Sequence, residues 1–428
     1  MFAKFSMANW RQFSEINIDF HPKLTVITGA NGSGKTTLLS LLSRCIGWLP
    51  KFVSSYSEDK PGSFMYGNDV CNSKEESREE IVVRDHHRRR SANEFPAYKF
   101  AELICEEGNR ILCAVEKHID GEGTYEIYLD SEILHKGIYV HSHRPNFQYR
   151  HLEVLPTIVS TRKAILNEYL SYRKQFVQSE WRTRETRTTA TLLVKENLAA
   201  LAMYGEGNSI VSPNPSAKQL FDGYVEILKK TLPPKLGFKG IKVAMPEVLL
   251  CTETGDFPLD AISGGISSII DITWQLYLLY ENDNPFVALI DEPENHLHPE
   301  LQKSFLGNLM KAFPNVQFVI ATHNPLMISS QRDSHVYVLD YDENNKVHSI
   351  KLDYVNRAGT SNAILRDVLG IESTIPQWAE EDLQSIIARY QSMEITNDSM
   401  NQMRSKLEGI GLGDFIPKAI AKVLEGNS

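Results

Sequence analysis

The sequence predicts an α/β protein, and three observations carry that prediction. An apolar segment, residues 24–28, ends at a glycine-rich turn that is followed by a leucine-bearing helical pattern. Two more short apolar segments, residues 285–290 and 316–321, alternate with helical patterns, which is typical of a parallel sheet. Residues 2–20 and 98–139 instead have the pattern of paired strands. We therefore expect a mixed, largely parallel sheet with an antiparallel β lobe.

Helical patterns divide the rest of the chain. We expect residues 1–150 to form an N-terminal lobe and residues 151–242 an inserted helical arm. Residues 243–355 return to strand and turn signals and would complete the α/β head. Residues 356–428 then form a helical tail, broken near its glycines at 409–413. The polar, charged stretch 51–93 is expected to be a long irregular loop.

Composition narrows the class of protein. The chain has 428 residues, 42% of them hydrophobic, and a formal net charge of −9, which argues against wholesale coating of nucleic acid. Its apolar runs are too short to cross a bilayer, and the N-terminal residues do not resemble a signal peptide. Five cysteines, without a CxxC pair, suit a reducing compartment. We expect a cytoplasmic protein.

Two segments are locally basic. Residues 141–187 hold nine Lys or Arg against four Glu, and residues 84–90 hold four Arg and two His. Both can be solvated faces, or they can contact DNA, RNA or an acidic partner.

The glycine-rich turn carries the strongest motif. Residues 29–36, GANGSGKT, fit the phosphate-loop pattern in full, with a strand before it and a helix after it. Backbone N–H groups of such a loop, and the helix N-terminus, attract phosphate. Lys35 is expected to bridge the β- and γ-phosphates, and the Thr36 hydroxyl is expected to bind Mg²⁺. The predicted ATP-binding residues here are Asn31, Gly32, Ser33, Gly34, Lys35, Thr36 and Thr37.

A second strand ends in two acids, Asp291 and Glu292. The strand would bring Asp291 to the magnesium side of the phosphate loop. Glu292 would then act as the general base that activates a water molecule. Thr36 and Asp291 are thus the predicted magnesium ligands.

Two further elements complete the pattern. His323 follows the apolar strand 316–321, where it is predicted to contact the γ-phosphate, because parallel strands present their carboxyl ends at one edge. Ser263, Gly264 and Gly265 begin an amphipathic helix. Ser263 can be a helix cap, or the open helix N-terminus can bind an anion. The predicted catalytic residues are Lys35, Glu292 and His323.

The order of these motifs resembles that of ABC-type ATPases. Residues 292–299, EPENHLHP, and 322–325, THNP, are similar to those of the overcoming-lysogenization-defect type and its relatives in bacterial anti-phage systems, such as Septu, Gabija, PARIS and retrons. This resemblance covers residues 1–48 and 261–354. It implies ATP and Mg²⁺ as ligands, and a head-to-tail homodimer or higher homo-oligomer in which the signature Ser263-Gly264-Gly265 of one subunit completes the ATP site of the other.

The resemblance also implies a function. We expect an ATPase subunit of an anti-phage complex that controls a separately encoded effector, such as a nuclease. The alternatives are a DNA-maintenance ATPase whose basic arm grips DNA, a self-contained nuclease with a fused TOPRIM domain, and a transporter subunit. The helical tail and the lack of a second acidic cluster beside Asp340-Tyr341-Asp342 disfavour a nuclease within this chain.

Some family features are weaker here. Lys35 and Ser263 are 228 residues apart (263 − 35), which suits members with an inserted arm and disfavours a transporter subunit. Gln148 is the candidate for the family's glutamine loop. Asn9 and Arg11 occupy the place where relatives often touch the nucleotide.

Overall fold

The computed structural model describes most of the chain and divides it into two compact units. The described residues are 1–60, 63–67, 79–84, 94–116, 123–131, 134–144, 147, 149–156, 158–178, 189–353, 376–393 and 396–425. Unit 1 spans Met1–Ser361 and unit 2 spans Asn362–Ser428. The finer division into four segments stays a prediction.

The elements are numbered here along the chain. The helices are α1 (Lys35–Arg44), α2 (Arg162–Gln178), α3 (Ala190–Glu206), α4 (Pro215–Thr231), α5 (Gly264–Leu279), α6 (Pro299–Ala312), α7 (Pro325–Ile328), α8 (Gln377–Gln391), α9 (Asn397–Gly409) and α10 (Ile416–Glu425). The strands are β1 (Phe2–Trp10), β2 (Phe13–Asp19), β3 (Leu24–Gly29), β4 (Phe52–Val53), β5 (Ser55–Lys60), β6 (Ser63–Gly67), β7 (Glu80–Arg84), β8 (Glu94–Cys105), β9 (Arg110–Glu116), β10 (Thr124–Tyr125), β11 (Tyr128–Leu129), β12 (Gly137–Val140), β13 (Gly240–Ala244), β14 (Glu247–Cys251), β15 (Asp256–Pro258), β16 (Phe286–Asp291), β17 (Val316–Ala321), β18 (His335–Tyr341) and β19 (Val347–Lys351).

A parallel core lies at the centre of unit 1. Strands β18, β3, β17, β16 and β12 are adjacent in that order and all run parallel. Every residue of β3, β16 and β17 is buried, which explains their largely apolar sequences. The register pairs Ile27 with Ala321 and Ala321 with Asp291. The carboxyl ends of these three strands therefore meet at one edge, where the predicted site residues are.

The antiparallel β lobe extends the same sheet. Strand β19 is antiparallel to β18 and parallel to β2, and beyond it β2, β1, β8, β9 and β11 pair antiparallel. Trp10 stacks on Phe13 and Phe100 in the core of this lobe. The predicted α/β class, with its mixed sheet and antiparallel lobe, is confirmed.

Part of the segment expected to be an irregular loop consists of strands. In its described portion, β4 pairs with β10, β5 with β6, and β7 with β8. Residues 81–83, Ile-Val-Val, have high β propensity, which the charged neighbours obscured in the sequence. Residues 85–93, which include most of the second basic cluster, lie outside the described residues.

The helical arm is present as predicted. Helices α3 and α4 begin at side-chain caps, because Thr189 accepts from Leu192 N–H and Asn214 from Ala217 N–H. The arm packs on α5, where Tyr224 lies edge-on to the buried Trp274 with ring centroids 4.7 Å apart. The arm and the head therefore share one core.

Unit 2 has a small core of its own. Helices α8, α9 and α10 bury Leu383, Tyr390, Met403, Leu407 and Val423 among others. The predicted break near 409–413 is confirmed, because α9 ends at Gly409 and a short 3₁₀ turn, Gly413–Phe415, precedes α10. None of the helices that the structure describes is long and apolar enough to cross a membrane.

Candidate functional site

The phosphate loop connects β3 to α1 with a backbone that needs glycine. Gly34 has φ 91°, and a β-carbon built on it would lie 2.4 Å from Cζ of Phe13. A β-carbon on Gly29, where φ is 145°, would lie 2.4 Å from the carbonyl oxygen of Leu339 in β18. The motif glycines are therefore required both by their left-handed conformation and by the lack of space.

Lys35 lies inside this loop. Its Nζ donates hydrogen bonds to the carbonyl oxygens of Gly29 and Ala30, both at 2.9 Å. Burial lowers the pKa of Lys35, while the nearby carboxylates of Glu292 and Asp291 act in the opposite direction. The ammonium group is held at the first turn of α1, within the electrostatic field of the strand-end acids.

Thr36 and Asp291 are in direct contact. Thr36 Oγ1 donates a hydrogen bond of 2.8 Å to Asp291 Oδ2, although 255 residues separate them. Burial raises the pKa of Asp291 to about 6, and the bond from Thr36 opposes that rise. Asp291 Oδ1 is buried and has no hydrogen-bond partner among the described residues. An unpartnered carboxylate oxygen beside a hydroxyl is a donor set that fits a hard cation such as Mg²⁺.

Glu292 is held by side chains on two neighbouring elements. Its Oε1 lies 3.2 Å from His323 Nδ1, and its Oε2 accepts a 3.0 Å hydrogen bond from Asn295 Nδ2. The backbone of Glu292 has φ 45°, a left-handed conformation that costs about 1–3 kcal/mol in a residue other than glycine. Such strain persists only where surrounding contacts fix it, and it aims this carboxylate at the end of β17.

Arg144 is part of the site, although the sequence analysis counted it only as one charge of the basic segment. It follows β12, the neighbour of β16, and only 7% of it is exposed. Its Nη1 donates to the carbonyl oxygen of Asp291 at 3.2 Å, and Nη2 to that of Glu292 at 2.9 Å. Its Nε donates to Ser268 Oγ in α5 at 3.0 Å. An arginine four residues after the end of an apolar strand was the available signal.

Asn295 and Glu294 were also not assigned in the sequence. Asn295 lies in the turn after Glu292, and Glu294 is buried with Thr322 Oγ1 donating to its Oε1. Burial raises the pKa of Glu294, opposed by that hydrogen bond. Thr322 precedes His323, so this contact joins the ends of β16 and β17. The motif EPEN contains both residues, but its spacing alone does not say which side chain meets which strand.

The signature residues begin α5. Ser263 is at the N-cap position with an exposed side chain that makes no capping hydrogen bond. A β-carbon on Gly265 would lie 2.8 Å from the carbonyl oxygen of His296, so the glycine lets this turn approach the helix start. The interpretation of Ser263 as a side-chain helix cap is therefore wrong, because this exposed residue makes no capping hydrogen bond.

A buried ionic cluster connects the arm to the segment before the signature. Lys195 in α3 is completely buried, and its Nζ lies 2.7 Å from Glu247 Oε2 and 2.9 Å from Asp260 Oδ2. Lys195 Nζ also donates to the carbonyl oxygen of Arg150 at 2.7 Å, and Arg150 N–H donates to Asp260. Asp260 comes three residues before Ser263, so α3 fixes the approach to the signature.

The remaining predicted features have mixed outcomes. Asn9 and Arg11 have φ 51° and 52° at the β1–β2 turn, where Arg11 Nη2 donates to the carbonyl oxygen of Val53. Gln148 lies outside the described residues. Asp342 is in the turn after β18, whereas Asp340 and Tyr341 are the last residues of that strand, and hydrogen bonds from Lys346 and Asn344 N–H lower the pKa of Asp342.

The basic segment has less surface charge than its sequence suggests. Arg144 is buried at the site, and Arg173 in α2, 1% exposed, donates to the carbonyl oxygen of His143. Residues 179–188, which hold three more of the nine cations, lie outside the described residues. At least two of the nine cations are thus structural.

The strand-end acids beside the glycine-rich loop and its lysine define a phosphate-loop protein of the α/β class. A family model described as an AAA domain matches residues 4–228, which is more than half of the chain. A second AAA-domain model, associated in its description with a type IV TA system, matches residues 160–329. The chain belongs to the AAA domain family.

Individual proteins show a more specific similarity. Septu protein PtuA of Bacillus mycoides (strain KBAB4) is 30% identical over 166 residues, covering 37% of this chain and 22% of that protein. The "Retron Vc95 probable ATPase" of Vibrio cholerae is 29% identical over 140 residues, covering 30% of this chain and 25% of that protein. The chain thus spans about a quarter or less of the length of these two relatives. The predicted resemblance to the Septu and retron group is confirmed.

Among solved structures, the SMC head domain from Thermotoga maritima is similar to 82% of this chain and 99% of that domain. The sequence identity is 13% and the TM-score is 0.37.

Proposed function

We propose that this chain binds Mg²⁺-ATP and hydrolyses it, with Glu292 as general base. The observation that carries the proposal is the position of the Glu292 carboxylate. It lies between His323 and Asn295, next to the Thr36–Asp291 pair and the phosphate loop. A carboxylate has four lone-pair sites, so Glu292 can hold both neighbours and still accept a proton from water.

Each residue of the site has a distinct task in this scheme. Backbone N–H groups of residues 31–36 and the N-terminus of α1 bind the phosphates, with Thr37 in the first turn. Lys35 bridges the β- and γ-phosphates, and its bonds to Gly29 and Ala30 keep it within the loop. Thr36 and Asp291 would hold Mg²⁺, which would supply positive charge to the phosphates when bound. His323 orients Glu292 and contacts the γ-phosphate.

Ser263, Gly264 and Gly265 are proposed to act on a second copy of the chain. The Ser263 hydroxyl is exposed and makes no capping bond, which supports a contact outside its own helix. Two heads related by a twofold axis would each place this signature against the partner's γ-phosphate. Hydrolysis removes that contact, so ATP closes the dimer and its loss allows reopening.

The similarity to a Septu protein and to a retron ATPase supports a place in anti-phage defence. In this proposal the dimer controls a separately encoded effector, such as a nuclease, in the cytoplasm. Purification of the tagged chain together with the product of its neighbouring gene, with and without ATP, tests this part. Association that changes with ATP is expected. Two products that do not associate under either condition would contradict it.

The ATPase proposal is tested by Glu292→Gln. We expect a loss of about 10²–10⁴ in kcat with MgATP binding retained, because the amide keeps the shape but cannot accept the proton. The variant should also accumulate as an ATP-bound dimer in size-exclusion chromatography with light scattering. Glu281→Gln is the matched control, since Glu281 precedes the amino end of the same strand and pairs with Lys136 on the surface. Normal turnover by Glu292→Gln would show that another group is the base.

A further inference from the structure

We propose that Arg144 is a positioning residue for ATP hydrolysis, which holds the backbone of Glu292 in its left-handed conformation so that the carboxylate meets His323. This inference rests on the proposed function, because it concerns the residue to which general-base chemistry is assigned. Neither the motif pattern nor the family similarity assigns Arg144 to the site.

The backbone of Glu292 is fixed at both of its polar groups. Its N–H donates to the carbonyl oxygen of Ala321 at 2.8 Å. Its own carbonyl oxygen accepts from Asn295 N–H at 3.1 Å and from Arg144 Nη2 at 2.9 Å. At φ 45° an L residue is strained, so each of these bonds opposes a return to negative φ. Arg144 supplies the charged donor of the three.

The shape of the guanidinium suits this task. Arg144 uses Nη2 for Glu292, Nη1 for the carbonyl oxygens of Asp291 and His141, and Nε for Ser268 Oγ. A planar group with donors in a fixed fork can reach two successive carbonyls and a helix together. A lysine ammonium is a point donor and cannot span the same set. Ser268 lies in the first turns of α5, the helix that begins at the signature. Arg144 therefore also fixes the position of this helix relative to Glu292.

Removal of the Arg144 guanidinium group would free the turn at Glu292 to change conformation. The carbonyl oxygens of Asp291 and Glu292 would each lose a charged donor, and the strained residue would relax towards negative φ. Its carboxylate would then leave the position between His323 and Asn295. Among the described residues, no hydrogen bond joins Arg144 to the phosphate loop, where Lys35 and Thr36 keep their own bonds, so nucleotide affinity should change little.

The backbone effect can be measured without nucleotide. Hydrogen–deuterium exchange of the amides of residues 289–297 should be about tenfold or more faster in Arg144→Met than in wild type, because the charged hydrogen bond to the Glu292 carbonyl is lost. Arg44→Met is the matched control, since Arg44 is also buried in unit 1 and its Nε donates to the carbonyl oxygen of Ile127. Unchanged exchange in Arg144→Met, or equal acceleration in Arg44→Met, would overturn the proposal.

A kinetic test distinguishes a loss of Glu292 positioning from a general loss of protein structure. Arg144→Met should lower kcat about 10²-fold, as expected of a misplaced catalytic group, with the Kd for MgATP within about twofold of wild type. In a Glu292→Gln background the same substitution should have almost no further effect on kcat. An equal loss in both backgrounds would refute action through Glu292. Arg144→Lys, which retains a charge at the site, is expected to fold and to show an intermediate exchange rate and kcat.

The two proposals fail in different ways. If the wild-type chain binds MgATP but does not turn it over, alone or with its partner, the proposed function is wrong. The exchange experiment still decides whether Arg144 holds the Glu292 turn. If turnover is normal in wild type and unaffected in Arg144→Met, the ATPase proposal stands and the positioning proposal is wrong.

Discussion

Substitution of Lys195 by Met tests the ionic cluster that connects the arm to the signature. The change removes an ammonium group that is completely buried, together with its bonds to Glu247, Asp260 and the carbonyl oxygen of Arg150. The methionine has a similar length and is apolar. The carboxylates of Glu247 and Asp260 then lose their lysine counter-charge, and His151, 3.4 Å from Glu247 Oε1, is the remaining ionisable neighbour.

The size of the effect follows from that imbalance. Removal of one partner from a buried ion pair costs about 3–5 kcal/mol, a large part of the total stability of about 5–15 kcal/mol that is usual for a protein. The side chain of Asp260 is 0% exposed and that of Glu247 is 16% exposed, so water cannot replace the lysine fully. Conversion of both acids to amides in the triple variant Lys195→Met, Glu247→Gln, Asp260→Asn removes the uncompensated charge and should recover most of the loss.

Equilibrium unfolding in urea, followed by tryptophan fluorescence, measures the stability loss of Lys195→Met. The unfolding midpoints are compared, because the two units need not unfold together. Lys218→Met is the matched control in the same arm, where the solvent-screened pair with Glu206 should contribute little to stability. The ATPase rate of Lys195→Met should also fall, since Asp260 no longer fixes the segment before Ser263. A variant as stable as wild type, or a triple variant no better than the single one, would refute this reasoning.

Three shorter predictions concern the phosphate site. Lys35→Ala should abolish binding of a fluorescent ATP analogue, and undiminished binding would contradict the assignment of the loop. Gly34→Ala should lower the thermal midpoint and MgATP affinity together, because its β-carbon meets Phe13 at 2.4 Å; unchanged values would contradict this account of the loop. In the absence of ligand, the stability of Asp291→Asn relative to wild type should increase as the pH rises from about 4 to about 6. A pKa of about 6 instead of 3.8 gives an increase of up to about 3 kcal/mol. The sign follows because burial raises the folded pKa, so the wild-type carboxyl stabilises the fold when protonated and loses that contribution in this window. A pH-independent difference in urea midpoints would contradict it.

The main features of the sheet and the candidate site could be predicted because their signals are local. Residues 24–36 contain strand, loop and helix start within one short pattern, and the acids at 291 and 292 directly follow their strand. Each of these patterns is set by neighbouring residues, so no long-range information is needed. The arm helices likewise begin at recognisable caps, Thr189 and Asn214.

The contacts that hold Glu292 could not be predicted in this way. Arg144 and Glu292 are 148 residues apart. The local sequence of neither segment indicates that β12 is the neighbour of β16 in the sheet. A net charge count also treats Arg144 and Arg173 as surface groups, although both are buried. The strands β4 to β7 were missed because they are short and lie in a polar, charged stretch, and because β4 and β7 pair with strands that come later in the chain.

The order of strands in the parallel core has a consequence for biosynthesis. Strand β3 ends at Gly29, and both of its neighbours, β17 and β18, begin only at Val316 and His335. A ribosome that adds about 5–20 residues per second needs about 15–60 s to make the 286 residues between Gly29 and Val316 (316 − 29 − 1). Throughout that time β3, a strand that is fully buried in the folded protein, lacks both of its neighbours. Nascent chains of this protein should therefore depend on chaperones, and a stalled or truncated product lacking β17 should aggregate through β3.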